Sequence, residues 1–455
     1  MLIVCAIIVI AVFILSYIQY KHIINPVVFI NLLFSVVLGG ASLGLFGVST
    51  DCDSASLVIT VGVILVNIGF GFGTSCFSKK YILARPYQLD TSQDSQILNI
   101  PIVVIMTAVM VYFTAYYAFQ AVQLFAKGYS LNMVRLFYFN KDLMADATGI
   151  EVNGLIGYGS VYLYVPIQYI FIALTSHIIF DAGYINNYPI WRKIIPIITM
   201  ANIGLSMLTN GGRLVLFQLM ACLLLSLRVR QIKQRQKFGL TAAPKKKGIR
   251  KILIVAAIAV LIYLAYMATV ERNESNISYS LIKSVYIYFC GCVRNLEINL
   301  NKITENMEYT FGVSLLSGLV RPVFTFLRFV LKIPLPQLFN VSDHMLEIAS
   351  STNIIGEGLR YNAFVTGFYF FYCDAGYIGV VLDSFLLGLA LSFIYFFAGK
   401  NNKMFTLYLV AMQGVMTMFI RWQIVSVAYS MAFYYLLLVH GKTSFRMVSR
   451  SKKTI

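Results

Sequence analysis

The stretch SLVITVGVILVNIGFGFGTSCF (56–77) carries no charged residue. At about 1.5 Å per residue, it is long enough to cross a hydrocarbon core of about 30 Å as a helix. Similar apolar runs recur along the chain: 59% of its 455 residues are hydrophobic and 12% are charged. A soluble domain has roughly 25% charged residues. The sequence therefore predicts an all-α, polytopic membrane helix bundle in a single domain.

Eleven spans are predicted, and they cover 1–18, 27–48, 56–77, 99–125, 155–180, 189–208, 212–227, 252–270, 376–398, 404–420 and 424–440. The first run lacks a basic leader region and a small-residue cleavage site, so we expect a retained span and not a signal peptide.

Basic residues are concentrated in short connections between the apolar runs. The net charge is +18; the connection 228–251 has ten basic residues and the tail 441–455 has five, and neither contains an acid. This distribution follows the positive-inside rule, which places both segments in the cytoplasm. It also suits anionic lipid headgroups, whereas a nucleic-acid-binding protein gathers its basic residues on one surface. We therefore expect the lipid bilayer, and not nucleic acid, as a partner.

The acid-bearing connections alternate with the basic ones, which predicts an outside N-terminus and a cytoplasmic C-terminus. One outside segment, 271–362, is long, aromatic and balanced in charge. Its apolar run 311–331 carries Arg321 and Arg328 two helical turns apart on one face. We interpret the run as an interfacial or partly re-entrant helix on the outer leaflet, whose arginines face water or headgroups. A true crossing is the alternative, and it would invert every later connection.

The cysteines and the familiar catalytic motifs give little chemistry. Seven cysteines lie mostly in or beside apolar runs, with no pair or His/Cys cluster at metal-binding spacing. We interpret them as small hydrophobic residues. The sequence has no P-loop, no dinucleotide fingerprint, no HExxH and no GxSxG. We therefore predict neither a metal site nor a cofactor, and any activated donor must already be in the membrane.

Polar residues near the predicted outer interface are the candidates for function, because such groups are costly at membrane depth. Arg213 follows two glycines at a helix start, where backbone N–H groups favour an anion; the alternative is a snorkelling arginine. Asp374 is either an active-site acid or the N-cap of the span that begins at Gly376. Asp383 is either structural or part of a polar pocket. Trp422, beside Arg421, is interpreted as a membrane-belt residue more than as a sugar platform.

The segment NAFVTGFYFFYCDAGYIG (362–379) resembles the N-x-[YF]-x-T … Y-x-D-x-G-x-x-G motif of the O-antigen and capsule repeat-unit polymerases (Wzy family). The segment NGGR (210–213) resembles that family's small-residue-then-arginine motif at the outer end of a helix. The related O-antigen ligases carry a His-Asn pair where this chain has Tyr361 and Asn362. That departure disfavours the ligase, although His344 is near in sequence.

The resemblance implies glycosyl transfer at the outer face of a bacterial cytoplasmic (inner) membrane. Undecaprenyl-pyrophosphate-linked oligosaccharide is the implied substrate, O-antigen or capsule the implied product, and a chain-length regulator the implied protein partner. Arginine cations would bind the pyrophosphate bidentately, and a carboxylate would act as the base that accepts the proton of the acceptor hydroxyl. The implied site residues are Arg213 and Arg360, then Arg272 and Arg294, for pyrophosphate; Glu357, then Asp374 and His344, for catalysis; and Tyr361, Asn362 and Thr366 for the glycan.

Two other functions stay open at this point. An O-antigen ligase would share the architecture. A flippase or transporter of the same repeat unit usually shows internal repeats and polar groups on broken helices at the bilayer midplane. We find no such repeat in the sequence and expect the polar residues near one interface instead.

Overall fold

The computed structural model describes residues 1–77, 99–130, 154–179, 190–209, 214–238, 281–306, 309–361, 364–398 and 402–439, together with Met133, Val134 and Phe137. These residues form an almost entirely helical bundle. Its helices are α1 (Leu2–Tyr20), α2 (Pro26–Ala41), α3 (Asp53–Phe77), α4 (Ile100–Ala126), α5 (Gly154–Ile179), α6 (Ile190–Thr209), α7 (Leu214–Phe238), α8 (Leu281–Asn306), α9 (Val313–Leu331), α10 (Gln337–Ser350), α11 (Gly367–Ala398), α12 (Asn402–Met416) and α13 (Val427–Val439). A short antiparallel hairpin joins β1 (Asn353–Ile354) to β2 (Arg360–Tyr361).

Six of these helices are long and apolar enough to cross a membrane: α1, α3, α4, α5, α9 and α11. Four shorter apolar helices lie at 26–41, 193–207, 214–229 and 427–439. The prediction of an all-α membrane bundle is therefore confirmed. The number of crossings and the orientation stay predictions, and the expected span 252–270 lies outside the described residues.

Described contacts join helix ends at two places in the bundle. The amino group of Met1 lies 3.2 Å from Asp53 Oδ1, and the backbone N–H of Ser49 donates to the carbonyl oxygen of Ile355 at 3.0 Å. At the opposite end, the N–H of Asn99 donates to the carbonyl oxygen of Val439 at 2.8 Å. We call the first place the hairpin end; it carries Met1, the connection 42–52, the hairpin 353–361 and the turn 417–426.

Among the described helices, α3 and α11 form the most extensive contact, and glycines set its distance. A methyl group added at Gly69 would lie 2.1 Å from the carbonyl oxygen of Phe385, and one at Gly388 would lie 2.2 Å from that of Val66. Small residues let two apolar helices approach until their backbones touch, which is where van der Waals attraction between membrane helices is strongest.

The expected span 376–398 differs from the structure, because α11 begins at Gly367 and is broken at Ala375 and Gly376. Gly376 has φ 62° and ψ −139°, a conformation that favours glycine. Upstream of the break, residues 367–374 are buried almost completely. The aromatic stretch that the sequence placed before a span is therefore a half-helix inside the bundle.

The long segment 271–362 is more integrated than a surface loop. Its helix α8 packs against α2 and α3, and α9 packs against α11, α13 and the turn 423–425. The sequence predicted that Arg321 of α9 faces water or headgroups. In the structure this side chain is only partly exposed, because its guanidinium forms a 2.6 Å ion pair with Asp343 and lies over the ring of Phe339. Arg328 is exposed, as the sequence predicted.

A matched pair of glycines on α3 tests the packing against α11. We expect Gly69→Ala to lower the thermal midpoint of the purified protein, because overpacking against a backbone costs about 1–3 kcal/mol. Gly71→Ala is the control, since a methyl group there meets nothing within 4 Å. Circular dichroism in detergent measures both midpoints. Equal midpoints for the two variants would show that this contact does not stabilise the bundle.

Cysteines introduced one at a time test the orientation of the chain in the membrane. The background is Cys76→Ser, because Cys76 is exposed and the other natural cysteines are buried. A membrane-impermeant maleimide added to intact spheroplasts should label Leu43→Cys and Glu347→Cys, both exposed and at the hairpin end or beside it, and should spare Ser451→Cys in the basic tail. Detergent permeabilisation, which should allow all three to react, is the control. Labelling of the tail with protection of Glu347→Cys would show instead that α9 crosses the membrane.

Candidate functional site

Asp374 joins two helix ends across the break in α11. Its Oδ1 accepts the N–H of Ser314 at 2.9 Å, its Oδ2 accepts the N–H of Leu315 at 2.8 Å, and the Thr310 hydroxyl also donates to Oδ1. A carboxylate at this position satisfies the free N–H groups of the first turn of α9 and complements its dipole. Capping was one of the two interpretations from sequence, but the capped helix is α9 and not the span that begins at Gly376.

The backbone returns this contact in the opposite direction. The N–H groups of Thr310 and Phe311 donate to the carbonyl oxygens of Cys373 and Asp374, at 3.0 Å and 2.9 Å. These are among the last carbonyls of the half-helix 367–374, which the break would otherwise leave without partners. The segment 310–315 and the break therefore complete each other's hydrogen bonds, and we call this arrangement the reciprocal cap.

Asp383 lies in the part of α11 that follows the break at Gly376. It is 6% exposed, and its carboxyl group lies against that of Asp374. Its Oδ2 has no hydrogen-bond partner among the described residues. The geometry thus places Asp383 in the interior beside the reciprocal cap. This position fits a structural role and also fits a polar pocket, the two interpretations from sequence.

The hairpin carries two of the predicted site residues, Glu357 and Arg360. It is attached to the connection 42–52 through its backbone: the N–H of Glu357 donates to the carbonyl oxygen of Gly47 at 3.2 Å, and that of Ser49 to Ile355 at 3.0 Å. Both side chains are exposed. Within the described part of the chain, neither makes an ion pair or a side-chain hydrogen bond. The hairpin therefore presents one acid and one cation, three residues apart, on a fixed backbone.

Arg294 lies at the same end but is already paired. Its guanidinium forms a 3.3 Å ion pair with Asp51 and also donates to the Asp51 carbonyl oxygen. One turn later, Glu297 Oε2 accepts the N–H of Ala55 at 2.6 Å, at the start of α3. Burial raises the pKa of the Cys52 thiol to about 12, more than the nearby Arg294 lowers it, so this thiol stays protonated and unreactive. Here Arg294 has a partner within the protein, and the geometry favours a structural role.

Tyr361 and residues 364–366 lie between α8 and the turn 417–421. The Tyr361 hydroxyl donates to the carbonyl oxygen of Tyr288 at 3.0 Å, and Asn295 Nδ2 donates to that of Phe364 at 2.9 Å. Tyr361 is buried, and burial raises its pKa, so the ring is a core residue more than a glycan contact. Thr366 is fully buried with φ 66°, and its hydroxyl lacks a partner among the described residues.

His344 lies on α10, the helix that precedes the hairpin. It is about half exposed, and its Nδ1 is 3.8 Å from Glu347 Oε2, a long contact on the helix surface. The predicted residues Arg213, Arg272 and Asn362 lie outside the described residues. Whether Arg213 and Arg360 lie within about 20 Å of each other, as a shared pyrophosphate site would need, thus stays a prediction.

One interpretation from sequence is wrong, and several residues were missed. Trp422 is not in a membrane belt: it is 5% exposed, its Nε1–H donates to the carbonyl oxygen of Leu315 at 2.9 Å, and its ring packs on Phe371. The reason is that the turn after α12 folds inward against α9. The missed residues are three buried glutamines, Gln218, Gln413 and Gln423. Their signal was the cost of placing an uncharged amide beside apolar runs.

The reciprocal cap predicts a structural cost for removing Asp374. We expect Asp374→Ala to lower the stability by about 1–3 kcal/mol, because it strands two buried backbone N–H groups. Asp343→Ala is the control, since it breaks a partly exposed ion pair worth less than about 1 kcal/mol. Thermal midpoints in detergent measure both. An unchanged midpoint for Asp374→Ala would leave the catalytic prediction as the only explanation for any loss of function.

A search for metal ligands and three comparisons with known proteins complete the description of the site. No three His, Cys, Asp or Glu side chains converge as metal ligands in the part of the chain that the structure describes. Comparison of the chain with protein-family models, curated proteins and solved structures gives no match.

Proposed function

We propose that this protein is a membrane glycosyltransferase that polymerises polyprenyl-pyrophosphate-linked oligosaccharide repeat units at the outer face of a bacterial cytoplasmic membrane. The observation that carries the proposal is the hairpin: Glu357 and Arg360 are exposed, close in sequence, and have no side-chain partners among the described residues. The resemblance of 362–379 and 210–213 to the repeat-unit polymerases supports it.

The chemistry asks for an anion-binding cation and a base. In the proposed reaction, an acceptor hydroxyl oxygen forms a bond to the anomeric carbon of the donor sugar. The bond from that carbon to the pyrophosphate oxygen breaks, and the lipid pyrophosphate leaves with the bonding electrons. Arg360 binds the negative charge that develops on the leaving oxygens. Glu357 accepts the proton of the hydroxyl. Arg213 is the second cation in this proposal.

The reciprocal cap supports the proposal by limiting how the hairpin end can move. Chemistry between two large lipid-linked substrates gains most from groups that are fixed before the substrates bind. Arg294, which pairs with Asp51, and Asp374, which caps α9, serve that positioning here instead of contacting the substrates. Among the three acids predicted from sequence, Glu357 is therefore our choice for the base.

A surface-glycan ladder tests the proposal in a strain that lacks this protein. Wild type should restore a ladder of polymer lengths, whereas Arg360→Ala, Arg213→Ala and Glu357→Gln should leave a single repeat unit on the lipid anchor. Loss of a transition-state cation or of a general base lowers the rate by roughly 10²–10⁴-fold. Arg328→Ala, an exposed arginine of α9 away from the hairpin, is the control and should restore the ladder.

The pattern of loss separates the alternatives, provided that membrane blots show equal amounts of each variant. Loss of all surface glycan in the deletion strain would indicate a flippase or a ligase. An unchanged ladder in the deletion strain would reject a role in polysaccharide synthesis. A ladder restored in full by Arg360→Ala and Glu357→Gln would reject the proposed roles of the hairpin.

A further inference from the structure

Three buried glutamines have unpaired amide atoms. One of them, Gln423, lies in the turn 417–426, and the other two lie on helices α7 and α12. Gln218 is 1% exposed, and Gln413 and Gln423 are fully buried. Among the described residues, Gln218 Nε2, Gln413 Oε1 and both amide atoms of Gln423 have no hydrogen-bond partner. Buried polar groups in proteins are nearly always hydrogen-bonded, so neighbouring exceptions need a cause.

Tyr169 of α5 connects the first two glutamines. Gln413 Nε2 donates to the carbonyl oxygen of Tyr169 at 3.0 Å, and the amide of Gln218 lies beside the Tyr169 hydroxyl. One helical turn away, Cys222 Sγ contacts the carbonyl oxygen of Leu409 at 3.6 Å. Residues four apart share a helix face, so Gln218 and Gln413 occupy the facing sides of α7 and α12.

Arg421 stands at the mouth of this group. It is exposed, within electrostatic reach of the Tyr169 hydroxyl, and its backbone bridges to Thr366. The intervening Trp422 is extended, with φ −75° and ψ 111°, and its ring points to Phe371. Gln423, two residues after Arg421 in the same turn, is fully buried. We call Gln218, Gln413 and Gln423, with Tyr169 and Arg421, the amide slot.

Other buried amides of the bundle are paired more fully, although Asn299 Oδ1 and Gln123 Oε1 also lack a partner among the described residues. Gln168, the neighbour of Tyr169 in α5, donates to Asn202 at 2.6 Å and to Ser206 at 3.4 Å. Asn202 in turn donates to Thr114 at 2.9 Å and also to Tyr164. These contacts close a network with no open amide nitrogen. The amide slot, by contrast, leaves donors and acceptors open beneath an exposed arginine.

We propose that the amide slot is a subsite for the hydroxyl groups of a sugar ring, a proposal that rests on the glycosyltransferase function. Open donors and open acceptors occur together, and a hydroxyl group satisfies both because it donates and accepts. A phosphate oxygen only accepts, so it would leave Gln413 Oε1 and one atom of Gln423 unpaired. The slot thus suits a neutral ring, with Arg421 at its mouth contacting the adjoining part of the glycan.

Two glutamine variants test the subsite in the full chain. Gln218→Met and Gln423→Met keep the side-chain volume and remove Gln218 Nε2 and both amide atoms of Gln423, which have no partner within the described protein. Gln218→Met also removes the amide oxygen beside the Tyr169 hydroxyl, so Gln423→Met is the cleaner variant of the two. Replacing an unsatisfied buried polar group by an apolar one is neutral or stabilising. We expect unchanged or higher thermal midpoints in detergent and an about tenfold or greater loss of polymer in the ladder assay. Gln168→Met is the matched control, and its midpoint should fall because its amide is bonded.

The outcomes separate the subsite from the function on which it rests. Midpoints of Gln218→Met and Gln423→Met that fall as far as that of Gln168→Met would make the amides structural and overturn the subsite. Unchanged midpoints with a full ladder would overturn it as well. A midpoint rise of wild type in inorganic pyrophosphate that both variants abolish would assign the slot to an anion instead. A wild-type chain that restores no ladder overturns the proposed function, and the subsite with it.

Discussion

A helix that breaks inside an apolar bundle exposes peptide groups that lipid cannot satisfy. In this chain the break falls at Ala375 and Gly376, and the reciprocal cap supplies the missing partners from segment 310–315. The half-helix 367–374 receives N–H donors from Thr310 and Phe311, and Asp374 receives the first turn of α9. Because each partner satisfies the other, neither the break nor α9 can adopt its position alone.

The position of α9 then determines much of the hairpin end. Trp422 donates to the carbonyl oxygen of Leu315 and Tyr434 to that of Leu319, at 2.9 Å and 2.7 Å, which ties the turn 417–426 and α13 to the same helix. Arg321 pairs with Asp343 and so attaches α10. A segment that looks like a long loop in sequence is thereby held as part of the bundle, and the hairpin is presented from a supported base.

Polar groups inside the bundle fall into two classes with different consequences. The Gln168 and Asn202 network is closed and adds specificity to the contact of α4, α5 and α6. The amide slot is open, and an open buried amide lowers the stability unless a ligand pairs with it. Proteins tolerate such costs mainly at functional sites. The slot and the hairpin belong to the same end of the bundle.

The sequence alone determined that the chain is an apolar helical bundle, because runs such as 56–77 are too long and too uncharged for anything else. It also predicted which helix ends share a side, since basic residues partition between the connections. It predicted Glu357 and Arg360 as site residues, and the structure shows that both are exposed. Periodicity and composition could not reveal which polar atoms stay unpaired, because that depends on neighbours distant in sequence.

Only the tertiary structure showed the partners of Asp374 and Trp422 and the unpaired amide atoms of the three glutamines. Asp374 looked like a cap for the adjacent span, but its partners lie 59 and 60 residues away, on α9. The sequence predicted that Trp422 is a membrane-belt residue, but the fold of its turn buries it against Leu315. The physical reason is common to all of them: a hydrogen bond joins groups that are close in space, and sequence separation does not limit which groups the packing of helices brings together.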